Sequence, residues 1–143
     1  MDNVKQMLSV VETAKVSASL NRVDLASITI KTTAPTSQLL RTRLTALFIG
    51  EFVGPAGVSE LVFFLDEQLI GEPFQMNTKS AAITSRSFLV FQDGVPTGEH
   101  RLVAHLRRAR PPAARVGLRS LTVWETVVPR KQPGPQPGPI GRV

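Results

Sequence analysis

Apolar and polar residues alternate with a period of two along most of this chain, most cleanly over residues 98–108. There His100, Leu102, Ala104 and Leu106 share one face of an extended segment, and Arg101, Val103, His105 and Arg107 share the other. Pro111 and Pro112 then forbid a helix or a central strand, because proline lacks the N–H and fixes φ. The chain turns and returns through Leu121 and Val123, so the pattern predicts a long antiparallel pair and an all-β fold.

The same period recurs upstream. Ala26, Ile28 and Ile30 alternate with Ser27, Thr29 and Lys31, and the stretch 34–37 breaks the strand at Pro35. A longer strand sets Thr42, Leu44, Ala46 and Phe48 against Arg43, Thr45, Leu47 and Ile49. A loop follows over residues 50–57, then a tight hairpin in which Asp66, Glu67 and Gln68 join Leu61–Leu65 to Leu69 and Ile70. Gly71, Glu72 and Pro73 start a further bend, residues 83–91 form the next strand, and residues 93–98 turn into the opening element. Leu118 and Leu121 are an odd number of residues apart, which calls for a bulge near Arg119 and Ser120.

Three strands carry apolar residues on both faces: 47–49, 61–65 and 88–91. One face belongs to the core, and the other needs a cover, because large exposed apolar patches are uncommon on monomers. Leu47, Ile49, Phe63, Phe64, Phe88 and Phe91 are therefore the expected oligomer interface.

Both ends read differently. Val4, Met7, Leu8 and Val11 fall at i, i+3, i+4 and i+7, one helical face, with Asp2 as a cap. The Val, Thr and Ser content of 8–20 equally suits a strand, so residues 1–14 are read as a short helix or extended arm leading into a strand near 15–20. The β domain spans 15–128. Residues 129–143 are too rich in Pro and Gly for a packed core and make an extended tail.

At 143 residues the chain is one domain, large enough to bury a core without staples. It has no cysteine, which removes disulfides and thiolate metal sites, and no membrane-spanning apolar run or secretory leader pattern. The net charge of +6 is unevenly placed: residues 1–100 carry eight Lys/Arg against ten Asp/Glu, and residues 101–143 carry nine against Glu125 alone. Arg107, Arg108, Arg110 and Arg115 form a basic loop, a solvated segment or a surface for an acidic partner. Single-stranded nucleic acid needs aromatic platforms as well, and only Trp124 is near in sequence, so a nucleic-acid-binding β-barrel is the weakest reading.

The two histidines, His100 and His105, fall on opposite faces of one strand and cannot share a metal there. Asp66 and Glu67 are turn carboxylates, and no nucleophile triad, phosphate loop or zinc-binding motif is present. The chain is expected to be no enzyme and to use no cofactor and no metal.

Three stretches carry a resemblance: residues 62–71; residues 86–91 with 95–103, which hold Pro96, Gly98 and His100; and residues 118–125, ending Leu121, Thr122, Val123, Trp124, Glu125. This order of hairpin and strands resembles the jelly-roll domains of tailed-phage virion proteins over about residues 20–128. Within that group it is most similar to the trimeric capsid decoration (cement) proteins, including those of thermophilic phages. The resemblance implies an antiparallel jelly-roll β-sandwich, a homotrimer, and the major capsid protein as partner. It places the protein on the outer capsid surface of a virion, made in the host cytoplasm, stabilising the shell by bridging capsid subunits. The arm residues Val4, Met7, Leu8 and Val11 then become the capsid contact. The alternative within the group is a tail-fibre or receptor domain that binds glycans.

Overall fold

The computed structural model describes residues 4–14, 16–17, 23–53, 57–78, 83–108 and 115–130, and every regular element among them is a strand. In chain order these are β1 (Val4–Glu12), β2 (Val16–Ser17), β3 (Val23–Thr32), β4 (Leu40–Val53), β5 (Gly57–Leu65), β6 (Gln68–Thr78), β7 (Ile83–Asp93), β8 (Gly98–Arg108) and β9 (Arg115–Pro129). The larger sheet has the order β1-β9-β4-β7, with β2 also on β9, and the smaller one has the order β3-β8-β5-β6. All pairings are antiparallel. The pairs β5/β6, β4/β7, β3/β8 and β1/β9 nest about the central hairpin and fall alternately into the two sheets. That is the jelly-roll form of a β-sandwich, as the alternation and the resemblance led us to expect.

The core follows the predicted phase. Leu44, Ala46 and Phe48 of β4 face Leu102, Ala104 and Leu106 of β8 across the sandwich, all buried. Five phenylalanines knit the two sheets into a chain of tilted and edge-on contacts. Phe52 meets Phe48 and Phe88 at 6.3 and 6.4 Å between centroids, Phe74 meets Phe88 at 5.1 Å, and Phe63 meets Phe74 at 6.1 Å. Phe63 and Phe88 are thus core residues, which removes them from the expected oligomer interface. Leu61, Phe63 and Leu65 point inward, and Phe88 and Val90 point inward from β7.

Three further expectations change. Residues 4–12 are neither a helix nor a separate arm: β1 is an edge strand of the larger sheet, paired with β9 from Val4 opposite Thr126 to Glu12 opposite Arg119. The helical spacing of Val4, Met7, Leu8 and Val11 therefore has no helix behind it. Met7 and Val11 lie on the outer side of the sheet, with Val4 beside Thr126, whereas Leu8 pairs with buried Val123 on the inner side. The bulge in β9 comes slightly earlier than expected. Gly50 pairs with Arg119 and Phe52 with Val116, so the extra residue lies at Gly117 and Leu118, and Leu118 is turned outward.

The bend at Gly71–Pro73 does not end its strand. β6 runs through it to Thr78, and the surplus residues bulge out between Ile70, opposite Phe63, and Phe74, opposite Leu61. Gly71 is required there: its φ is +65°, and a Cβ would stand 2.7 Å from Val90 Cγ2 of the facing sheet.

Candidate interaction face

The outer side of the larger sheet is assembled in rows across four strands. Met7, Trp124, Thr45 and Phe91 form one row, Ser9, Thr122, Leu47 and Leu89 the next, and Val11, Ser120, Ile49 and Ser87 a third. Met7, Val11, Ile49, Leu89, Phe91 and Leu118 are each between 44% and 61% exposed. A monomer seldom leaves so many large apolar side chains side by side on one sheet face. A shallow groove of about 290 Å³ crosses it between Val11, Ile49 and Leu118, lined almost wholly by apolar surface.

One end of this face is held by charge. Asp93 accepts two hydrogen bonds from Arg43, at 2.5 and 3.0 Å, and one from Arg41 at 2.9 Å. The Arg43 guanidinium also lies 4.3 Å from the centre of the Phe91 ring, which fixes that ring at the rim. The hydrogen bonds from Arg43 lead the effects that hold the Asp93 carboxyl below its ordinary range, overcoming partial burial.

Of the six residues expected to form an interface, Leu47, Ile49 and Phe91 come together here. Phe64 lies on the outer side of the opposite sheet, and Phe63 and Phe88 are in the core. The expected arm contributes Met7 and Val11 to the same face. Leu89 and Leu118 were missed. Leu89 alternates with Phe88 and Val90 inside an unbroken apolar run, and Leu118 is turned outward only by the bulge.

The outer side of the smaller sheet is different. Val62 and Val103 are buried there, beside half-buried Phe64, whose ring meets His105 edge-on at 4.8 Å. His105 Nδ1 lies 2.6 Å from Asp24 Oδ1. A cavity of about 480 Å³ opens next to them, bounded by Phe64, Asp66, Glu67, Arg101, Val103 and His105.

His100 faces inward and joins two connections. Its Nδ1 is 2.5 Å from Asp66 Oδ2, and its Nε2 is 2.6 Å from the Pro96 carbonyl oxygen. A carboxylate on one nitrogen and a carbonyl on the other both ask the ring to donate. Burial works against the charged ring, but the Asp66 and Pro96 hydrogen bonds outweigh it and raise the His100 pKa. Asp66 is likewise held low by His100 and by the Arg101 backbone N–H, against its own desolvation. Asp66 and Glu67 both take positive φ, 50° and 68°, as a two-residue hairpin turn demands.

The expected basic loop is only partly placed. Arg107 Nε donates to Glu60 Oε1 at 2.8 Å, and Arg115 opens β9, exposed, opposite Val53 and Ser17. Arg110 and the Arg108 side chain lie outside the described residues. Among the described residues no three His, Asp or Glu side chains converge as metal ligands would.

No protein-family model matches this chain, and no curated protein matches it in sequence. Several solved structures are similar to it at low identity. One is the C-terminal domain of EclA, a sugar-binding protein, at 13% identity over 77% of this chain and 78% of that one, with a TM-score of 0.44. Another is the tobacco streak virus coat protein, solved as a dimer, at 16% identity over 91% of each chain, with a TM-score of 0.32. A third, from the infectious bursal disease virus Gx strain, is 10% identical over 89% of this chain but only 38% of that one, with a TM-score of 0.36.

Proposed function

We propose that this protein is a structural, non-enzymatic virion protein: a capsid decoration subunit that self-associates and binds the outer surface of a phage shell, bridging its major capsid protein subunits. The observation that carries this reading is the apolar outer face of β1-β9-β4-β7, where Met7, Val11, Ile49, Leu89, Phe91 and Leu118 stand exposed together. Such a face gains free energy when covered, at roughly 25 cal/mol per Å² of apolar surface removed from water. The trimer and the capsid partner come from the resemblance of the strand and turn motifs.

The test is Leu89→Glu, a charge on the outer side of edge strand β7, directed away from the core. The variant keeps the wild-type circular dichroism spectrum and melting temperature but sediments as a smaller species and no longer binds empty expanded shells. Unchanged sedimentation and unchanged shell binding by the folded variant overturn the reading.

A second reading, a glycan-binding tail or receptor domain, draws on the cavity beside Phe64, where an aromatic ring adjoins Glu67 and Arg101. It requires host polysaccharide to shift the amide resonances of β5 and β8 in the wild type and not in Phe64→Ala. Trp124, on the opposite sheet, would not respond.

A further inference from the structure

The three middle rows of the apolar face, those that begin at Met7, Ser9 and Val11, contain no charged residue, although 20% of the chain is charged. The centre of a subunit interface is depleted of charge in this way. The charges that bound these rows along β4 have opposite sense. At one end Arg41 and Arg43 share the single carboxylate of Asp93, an excess of one cation. At the other end Glu51, opposite Ser85, borders the groove and has no ion pair among the described residues. Arg115 stands farther out, opposite Val53.

Side-chain size is graded along the same direction. The Met7 row carries bulk on three strands, in Met7, Trp124 and Phe91, whereas the Val11 row has only Ser120 and Ser87 on the strands that hold Trp124 and Phe91. The groove of about 290 Å³ between Val11, Ile49 and Leu118 opens at that second row. The face is therefore large and cationic toward one end, and hollow and anionic toward the other. Turned end for end, it is its own complement.

We propose that a second copy of this chain covers the face, packed sheet to sheet about a two-fold axis that runs along the middle row of Ser9, Thr122, Leu47 and Leu89. This axis lays each strand antiparallel over its own copy, the aligned packing of two twisted sheets about 10 Å apart. Trp124 then stands over the partner's Ser120, Phe91 over the partner's Ser87, and Met7 enters the partner's groove. Arg43 faces the partner's Glu51, and each contact occurs twice, as an isologous interface requires. Four strands about 4.8 Å apart and five rows about 6.8 Å apart give a footprint of roughly 600 Å² per copy. A pair buries roughly 1,200 Å², the lower end of the range for a specific interface, so the pair is reversible.

The proposal rests on the reading above that this face is covered, and it names the cover. It is tested by sedimentation equilibrium of the full chain. The wild type gives the mass of two chains, in equilibrium with one. Glu51→Arg sets two like charges together twice and weakens the pair at least about tenfold. Ser120→Trp fills the place of the partner's Trp124 and weakens it comparably. Both variants keep the wild-type circular dichroism spectrum, and Leu69→Glu, on the outer side of the other sheet, leaves the pair intact. A three-chain mass, which needs a head-to-tail contact, or a single-chain mass overturns the proposal, as does undiminished pairing in either folded variant. The reading of the face as covered is judged separately, by shell binding of Leu89→Glu.

Discussion

Gln6 Nε2 lies 2.6 Å from Glu125 Oε1 and 2.6 Å from the Lys31 carbonyl oxygen, so one amide ties the edge strand β1 to β9 and to the end of β3. Glu125 is wholly buried, and its other oxygen accepts the Thr33 N–H at 3.1 Å. This makes β1 part of the load the fold carries. Gln6→Ala leaves the carboxylate one donor short, which is expected to cost about 1–3 kcal/mol in urea unfolding. Truncation of residues 1–14 costs more, because it also strips the β9 edge of its partner and opens it to other chains. A truncated protein as stable and as soluble as the full chain would count against this account.

The strand faces were legible because their period is local. Thr42, Leu44, Ala46 and Phe48, and His100, Leu102, Ala104 and Leu106, each point inward as their alternation says. Residues 4–11 were not legible: Met7 and Val11 pack outward and Leu8 inward, a division that shows only once the free edge of β9 is known. Phe63 and Phe64 lie in a run apolar on both faces, where composition cannot say which ring enters the core. The cleft at the end of the sandwich was out of reach altogether, since Pro35, Arg41, Pro96 and Arg130 meet only through the nested topology.

The His100–Asp66 contact makes stability depend on pH in a defined direction. His100 is raised above its ordinary 6.5, so its contribution is fully present below that value and is lost as pH rises through the folded value. Asp66 is lowered from 3.8, so its contribution is present above that value and is lost as pH falls through the depressed folded value. The contact is therefore strongest between the two ordinary values, in mildly acid solution. Urea midpoints measured at about pH 5.5 and about pH 8.5 should fall toward the alkaline side in the wild type, and the difference should shrink in Asp66→Asn. An identical pH dependence in the two proteins would remove the linkage.

Arg119 is another inward charge. Its Nε donates to the Leu25 carbonyl of the facing sheet at 2.6 Å, and its Nη1 donates to Ala14 O at 2.6 Å and Gly117 O at 2.9 Å. It therefore satisfies three carbonyls where the bulge opens β9. Burial pushes its pKa down from the usual guanidinium value. Arg119→Met keeps much of the volume but leaves those acceptors bare, and should cost about 2–4 kcal/mol at roughly one to three per stranded group with partial rehydration. The same substitution at exposed Arg115 should be near neutral, and equal losses at the two positions would deny Arg119 its bridging role.

Phe63 and Phe91 were expected to do the same thing and should behave oppositely. Phe63 is 1% exposed and packs edge-on against Phe74, so Phe63→Ala leaves a cavity in the core and should cost about 3–5 kcal/mol in unfolding. Phe91 is half exposed at the rim of the apolar face, where its ring keeps one notable contact, with Arg43. Phe91→Ala should cost about 0.5–1 kcal/mol in the isolated subunit, the size of an exposed cation–π contact. In the proposed assembly its effect should be larger: a face buried between subunits loses the area of that ring twice in a two-fold contact and once in a head-to-tail one. Sedimentation at several concentrations should therefore show Phe91→Ala dissociating well above the wild-type concentration, while any folded Phe63→Ala assembles normally. The reverse pattern, with assembly sensitive to Phe63 and indifferent to Phe91, would move the interface off the larger sheet.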